Sequence, residues 1–321
     1  MAAPDHLPLP PSGAAPDRVF WLEPEAGIRL RAALWQADEA LGHVIFLTGR
    51  TEYLEKASIP AAEFVRRGFS VLSLDWRGQG LSSRQADPGL KGHVGDFKEF
   101  QRDLDALLSS DAAEALTGPR LLVCHSMGGC IGLHALNRPD IAKTVRAAIF
   151  CAPMLGIHMS TPMRIAACLT MRIGMALGKD QSWPPFGDVD TPYVLTADAT
   201  DNVLTQDADV FNWMVETART HPESAIAVPT LGWFAASDHA IRAARSFDAP
   251  DLPMMFMVGR QEEVVDADAV RNHAERTGSR LANIEDGKHE LLIEAPKIRR
   301  LAWTAIDNFL DGNTLPRRTP A

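Results

Sequence analysis

Short apolar runs alternate with segments of helical periodicity along most of this chain. Two strand-like segments come first, 18–22 and 28–35, joined by a Glu-Pro-Glu-Ala-Gly turn, and they read as an antiparallel pair. An apolar run at 44–47 leads to a helical pattern at 59–67 and a further run at 70–74. A helix over about 96–108 precedes the run at 121–125, and another run, 147–150, follows it. Beyond lie a run at 254–258, a helix over 268–276, a short strand at 280–284 and a last helix over about 298–310. This alternation predicts a mostly parallel sheet covered by helices on both faces. The interval 154–235 breaks the rhythm, with several prolines, two or three helical stretches and no clear strand. An insertion of that length between consecutive strands sits over the strand ends as a cap. The expected organisation is a flexible, Pro-rich arm at 1–17, a core of 18–153 and 236–315, and a helical cap at 154–235.

Residues 120–130, Arg-Leu-Leu-Val-Cys-His-Ser-Met-Gly-Gly-Cys, carry the first candidate chemistry. An apolar run ends in a serine flanked by small residues, and the helix-compatible run 131–136 follows. That is the layout of a nucleophile elbow, which exposes one hydroxyl at a sharp strand-to-helix turn. Gly128 fits the strained turn, and Gly129 lets the helix approach the sheet. Cys124 stands where the pattern has Gly, and it is small enough to keep the turn. A serine nucleophile needs an adjacent base, itself oriented by a carboxylate, and after an elbow the order is acid, then His. His289, just past the strand at 280–284, is the candidate base for Ser126. The loop after 254–258 supplies the acid. Glu262 is the choice, with Glu263 as its neighbour in register and Asp266 better placed to cap the following helix. Two backbone N–H groups should face the developing negative charge. Met127 offers one, and the loop 48–53 offers the other, with Arg50 favoured.

The net charge of −9 argues against a nucleic-acid partner. The four cysteines lack metal or disulfide spacing and read as buried thiols. The N-terminus has neither the basic start nor the apolar core of a secretory signal, and no apolar stretch reaches the ~18 residues that span a bilayer. A cytoplasmic protein is expected, with transient contact to a membrane surface left open. Gly78 to Ser83 lacks the third glycine of a dinucleotide fingerprint, and His289-Glu290 lacks a second His at helical spacing. No cofactor and no metal are therefore expected.

Six segments together resemble the α/β-hydrolase superfamily, and within it the lysophospholipase L2 and monoacylglycerol lipase-like group of serine aminopeptidase S33-type hydrolases. They are GRTEYLEK (49–56), DWRGQGLS (75–82), KGHVGDF (91–97), HSMGG (125–129), VVD (264–266) and KHELL (288–292). The resemblance runs from about 44 to 309. It implies an α/β-hydrolase fold with a helical cap inserted after the sixth strand. It also implies a triad of Ser126, Glu262 and His289 and oxyanion donors at Met127 and Arg50. Thr48 replaces the His of the usual His-Gly oxyanion loop, and Asp75, Arg77 and Gly78 are expected to shape a turn. The implied substrate is a small lipid ester, a lysophospholipid or a monoacylglycerol. An amide substrate, and a binding protein on a hydrolase scaffold, stay open as alternatives, as does the oligomeric state.

In the cap, Met154, Met159, Met163, Met171 and Met175 recur with aliphatic residues between them. A flexible Met-lined surface accommodates acyl chains, and helical spacing equally suits core packing. Met154, Met159, Met163 and Trp233 are the expected substrate contacts, with Trp213 and Phe234 as further candidates. Arg164 and Arg172 read as a solvated face, and His125 as a packing residue pointing away from the serine hydroxyl.

Overall fold

The computed structural model describes residues 6–185 and 189–320. The chain opens with the hairpin β1 (Arg18–Glu25) and β2 (Ile28–Trp35), then β3 (Gly42–Leu47), α1 (Leu54–Arg66) and β4 (Phe69–Leu74). Helices α2 (Lys98–Leu108) and α3 (Asp111–Glu114) lead to β5 (Arg120–His125), α4 (Met127–Leu136), α5 (Pro139–Ala142) and β6 (Ala147–Cys151). Four helices follow before the next strand: α6 (Thr161–Ala176), α7 (Tyr193–Thr196), α8 (Ala208–Thr220) and α9 (Leu231–Ser246). The chain closes with β7 (Met254–Gly259), α10 (Ala267–Arg276), β8 (Arg280–Ile284) and α11 (Pro296–Gly312).

The strand order is β1-β2-β4-β3-β5-β6-β7-β8. β2 pairs antiparallel with β1 and β4, and every later pairing is parallel. This is the α/β-hydrolase fold. Strands β3 to β7 are almost wholly buried because helices cover both faces, which is why they read as unbroken apolar runs. Side chains alternate between two cores: Leu122 and Cys124 join one with α4, while Leu121 and Val123 join the other with α1 and α11. No helix among the described residues is long and apolar enough to cross a membrane.

Two expectations change. The boundary placed at 235 falls inside α9, whose buried face packs on α4 as well as on α6. The arm is seated where it is described, from residue 6 onward. Leu7 is 4% exposed and its N–H donates to Glu55 Oε1 at 2.9 Å, while the main-chain oxygens of Pro8 and Ala14 accept from Trp213 and Trp35. Its prolines lower the cost of ordering an extended segment, so a Pro-rich stretch here binds rather than wanders. Residues 1–5 lie outside the described residues.

Candidate active site

Ser126 follows β5 with φ 50° and ψ −117°, a backbone that ordinary residues avoid, and α4 begins one residue later. Small neighbours make this turn possible. A Cβ on Gly128 would stand 2.2 Å from the Leu47 oxygen, and one on Gly129 would stand 2.4 Å from Pro153 Cβ. Cys124 is accommodated by a second glycine: a Cβ on Gly132 would lie 2.4 Å from its Sγ. The thiol fills the space that the usual elbow Gly leaves, and α4 yields a side chain in return.

Ser126 Oγ lies 3.0 Å from His289 Nε2. His289 Nδ1 lies 3.0 and 2.9 Å from the two oxygens of Glu262. Glu262 Oε1 also accepts the N–H groups of Val264 and Val265, at 2.7 and 3.0 Å. Burial works against its charge, yet His289 and these N–H groups hold its pKa below the usual carboxylate value. Asp266 instead caps α10 through Ala269 N–H, and Glu263 lies on the cavity wall. Met127 is the first residue of α4, so its N–H has no partner within the helix. The Thr48–Gly49–Arg50 loop presses on the elbow, where a Cβ on Gly49 would stand 2.9 Å from Ser126 Cβ. Thr48 is buried and its carbonyl accepts from Trp76 Nε1.

A buried ionic cluster adjoins these groups, and two of its members, Lys56 and Glu290, reach the same cavity. Glu52 Oε2 accepts the Gly49 N–H at 2.8 Å and its Oε1 meets His125 Nδ1 at 2.5 Å. His125 Nε2 donates to the main-chain oxygen of His289 at 3.2 Å, and the two rings lie 4.8 Å apart. Lys56 bonds Glu290 and sits 3.5 Å from Glu52. Glu52, His125 and Glu290 alone resemble a metal-binding trio, but the Lys56 ammonium already supplies the cation between the carboxylates. Both ring nitrogens of His125 are thus engaged, one in an ion pair and one by a carbonyl, where a packing role was expected. Sequence reasoning missed this cluster. Its signal was the i, i+4 pair Glu52 and Lys56 at the head of an apolar helix.

These groups open on a cavity of about 420 Å³ lined mainly by apolar side chains. Met154, Met159, Trp233 and Phe234 line it with Ser126, His289 and Arg50. Met163 does not. It is 61% exposed and borders a second cavity, of about 380 Å³, between α6 and α9. Met163 stands in the first turn of α6, whereas Met154 and Met159 precede that helix. Trp213 packs on Tyr53 and the arm instead.

A family model for serine aminopeptidase S33 matches residues 38–296, which include the elbow, Glu262 and His289. The chain belongs to the serine aminopeptidase S33 family. Among relatives, it is 27% identical over 270 residues to a probable lysophospholipase L2 of Haemophilus influenzae, covering 84% of this chain and 83% of that one. It is 29% identical over 294 residues to the lysophospholipase L2 of Escherichia coli, covering 85% and 81%. In fold it is similar to a soluble variant of monoglyceride lipase from Saccharomyces cerevisiae, solved with a substrate analog. The TM-score is 0.74 at 17% identity, over 98% of this chain and all of that one. The S33 match begins at residue 38, so the β1–β2 hairpin and the seated arm lie outside it.

Proposed function

We propose that the protein is a serine carboxylic-ester hydrolase that removes the acyl chain from lysophospholipids or monoacylglycerols through an acyl-enzyme. The hydrogen-bonded series Ser126–His289–Glu262, opening on an apolar cavity, carries this reading. Ser126 Oγ attacks the ester carbonyl carbon as His289 Nε2 takes its proton. The N–H groups of Met127 and Arg50 hold the oxyanion. Collapse of the tetrahedral adduct breaks the ester C–O bond, and His289 returns the proton to the leaving alcohol. Water, deprotonated by the same nitrogen, then attacks the acyl-Ser126 carbonyl and releases the fatty acid. Glu262 fixes the tautomer of His289 and balances the imidazolium that forms. Names of the lysophospholipase L2 relatives support the ester class and the acyl-lipid substrate.

Segment 154–230 and the start of α9 form the cap in this reading, with Met154, Met159, Trp233 and Phe234 against the acyl chain. Helix α6 turns Ile165, Leu169, Ile173 and, just beyond it, Leu177 outward, each more than half exposed. It also carries Arg164 and Arg172, and no acidic residue lies between Asp140 and Asp180. An amphipathic face of that charge fits an anionic lipid surface, where its substrates reside.

A fluorophosphonate probe should label the wild-type protein, and Ser126→Ala should abolish both labelling and ester turnover, with a rate loss of roughly 10⁵-fold or more. Labelling that persists unchanged in the Ser126→Ala protein would overturn the assignment.

A further inference from the structure

Arg50 is unlike most of the sheltered arginines of this chain. Arg31 pairs with Glu55 and Asp75, Arg67 with Glu63 and Asp307, and Arg77 with Asp103, Glu25 and Glu99. Arg50 has no carboxylate within ion-pair distance among the described residues. One Nη donates to the main-chain oxygen of Ala227 at 2.7 Å, the guanidinium lies 5.3 Å from the Trp233 ring, and Nε is sealed from solvent without a partner. Burial with no compensating charge pulls its pKa down to about 9. Arg84 shares the lack of a carboxylate, but it lies away from the catalytic cavity, whereas Arg50 lines it together with Ser126 and His289. A sheltered guanidinium bonded only to a carbonyl and a ring is a costly clasp, and its cost is recovered when an anion enters the cavity.

We propose that Arg50 receives the phosphate of the substrate, so that phosphate-bearing monoacyl lipids are selected over monoacylglycerols. The inference rests on the ester-hydrolase reading and narrows its substrate class. In a monoacyl glycerophospholipid the glycerol carbons separate the ester carbonyl from the phosphate. An arginine side chain separates its own main-chain N–H from its guanidinium by a similar number of bonds. One residue therefore serves both ends of the reacting head: the N–H faces the ester oxyanion and the fork takes the phosphate oxygens. The phosphate ester bonds stay intact, and the products are a fatty acid and a glycerophosphodiester. A monoacylglycerol places a neutral hydroxyl there and leaves the guanidinium unpaired, which is how a site built for a charge rejects the uncharged analogue.

The test compares 1-palmitoyl lysophosphatidylcholine with 1-palmitoylglycerol on the full chain. Arg50→Met keeps the main-chain N–H, and it should lower the ratio of kcat/KM for the two substrates by roughly 30-fold, with a smaller loss in Arg50→Lys. In the wild type, sn-glycerol 3-phosphate should slow fluorophosphonate labelling of Ser126, and glycerol should not. A ratio within about threefold of wild type in Arg50→Met overturns the proposal. So does wild-type labelling indifferent to sn-glycerol 3-phosphate, a result that needs no variant to fold. A wild-type protein that neither labels nor cleaves either ester would instead overturn the ester-hydrolase reading itself.

Discussion

His125 faces a carboxylate with one ring nitrogen and a main-chain carbonyl with the other, so only the imidazolium can donate to both. Its charge and that of Lys56 offset Glu52 and Glu290, which lets four ionisable side chains share a nearly dry site. Burial alone would depress the histidine, but Glu52 and Glu290 raise it to about 9. An unfolded histidine titrates near 6.5. The stability this contributes is fully present below about 6.5, declines as pH rises and is gone once pH passes about 9, a total on the order of 3 kcal/mol. Urea midpoints measured from pH 6 to 9.5 should fall in the wild type beyond what His125→Gln shows. Parallel curves for the two proteins would mean that His125 is neutral in the native state. The same cluster binds the Gly49 N–H on one side and the His289 carbonyl on the other, so it joins the Thr48–Arg50 loop to His289.

At the scale of elements, the outward face of α6 is the feature with the plainest consequence. Replacing Leu169 and Ile173 together by Asp should abolish flotation with vesicles containing anionic lipid, while turnover of a short soluble ester is retained. Each buried aliphatic side chain contributes about 1.5–3 kcal/mol, so two charged replacements exceed what a peripheral helix can lose. Equal flotation of variant and wild type would remove α6 from the lipid surface. This helix also marks where sequence reading stops. Periodicity shows that Met163, Met171 and Met175 share a helix with aliphatic neighbours, but not whether water, core or cavity faces them. The strands were legible because β3 to β7 are buried on both sides, and the elbow was legible because its turn admits few residue types. The head of α1 was not: the helix starts five residues before the predicted 59, and Glu55 and Lys56 there are buried in ion pairs whose partners lie far off in sequence. Gly132 shows the same limit, since its lack of a side chain has meaning only against Cys124 across the helix–sheet contact.

Across the whole molecule, core and inserted segment are joined by contacts distant in sequence. Glu290 N–H donates to the Leu204 oxygen, Ala227 N–H to the Leu90 oxygen, and Arg50 to Ala227. The N-terminal arm adds a strap to the same seam. Through Leu7 it meets Glu55 of α1, through Pro8 it meets Trp213 of α8, and through Ala14 it meets Trp35 of β2. Tyr53, which lines the cavity, lies against Trp213 with ring centroids 5.7 Å apart, so the strap braces a wall of the site. Removing residues 2–14 exposes the surface under Leu7 and takes the acceptors from two indole N–H groups. Burial of Leu7 contributes about 2 kcal/mol and each hydrogen bond about 1, offset in part by the entropy of ordering the arm. The melting temperature should fall by about 2–5 °C, and amide exchange in α8 should quicken more than in β5 or β6. That contrast between elements is the decisive readout. A uniform change would mean a general loss of stability, and unchanged protection in α8 would mean that the strap does not hold the inserted segment to the core.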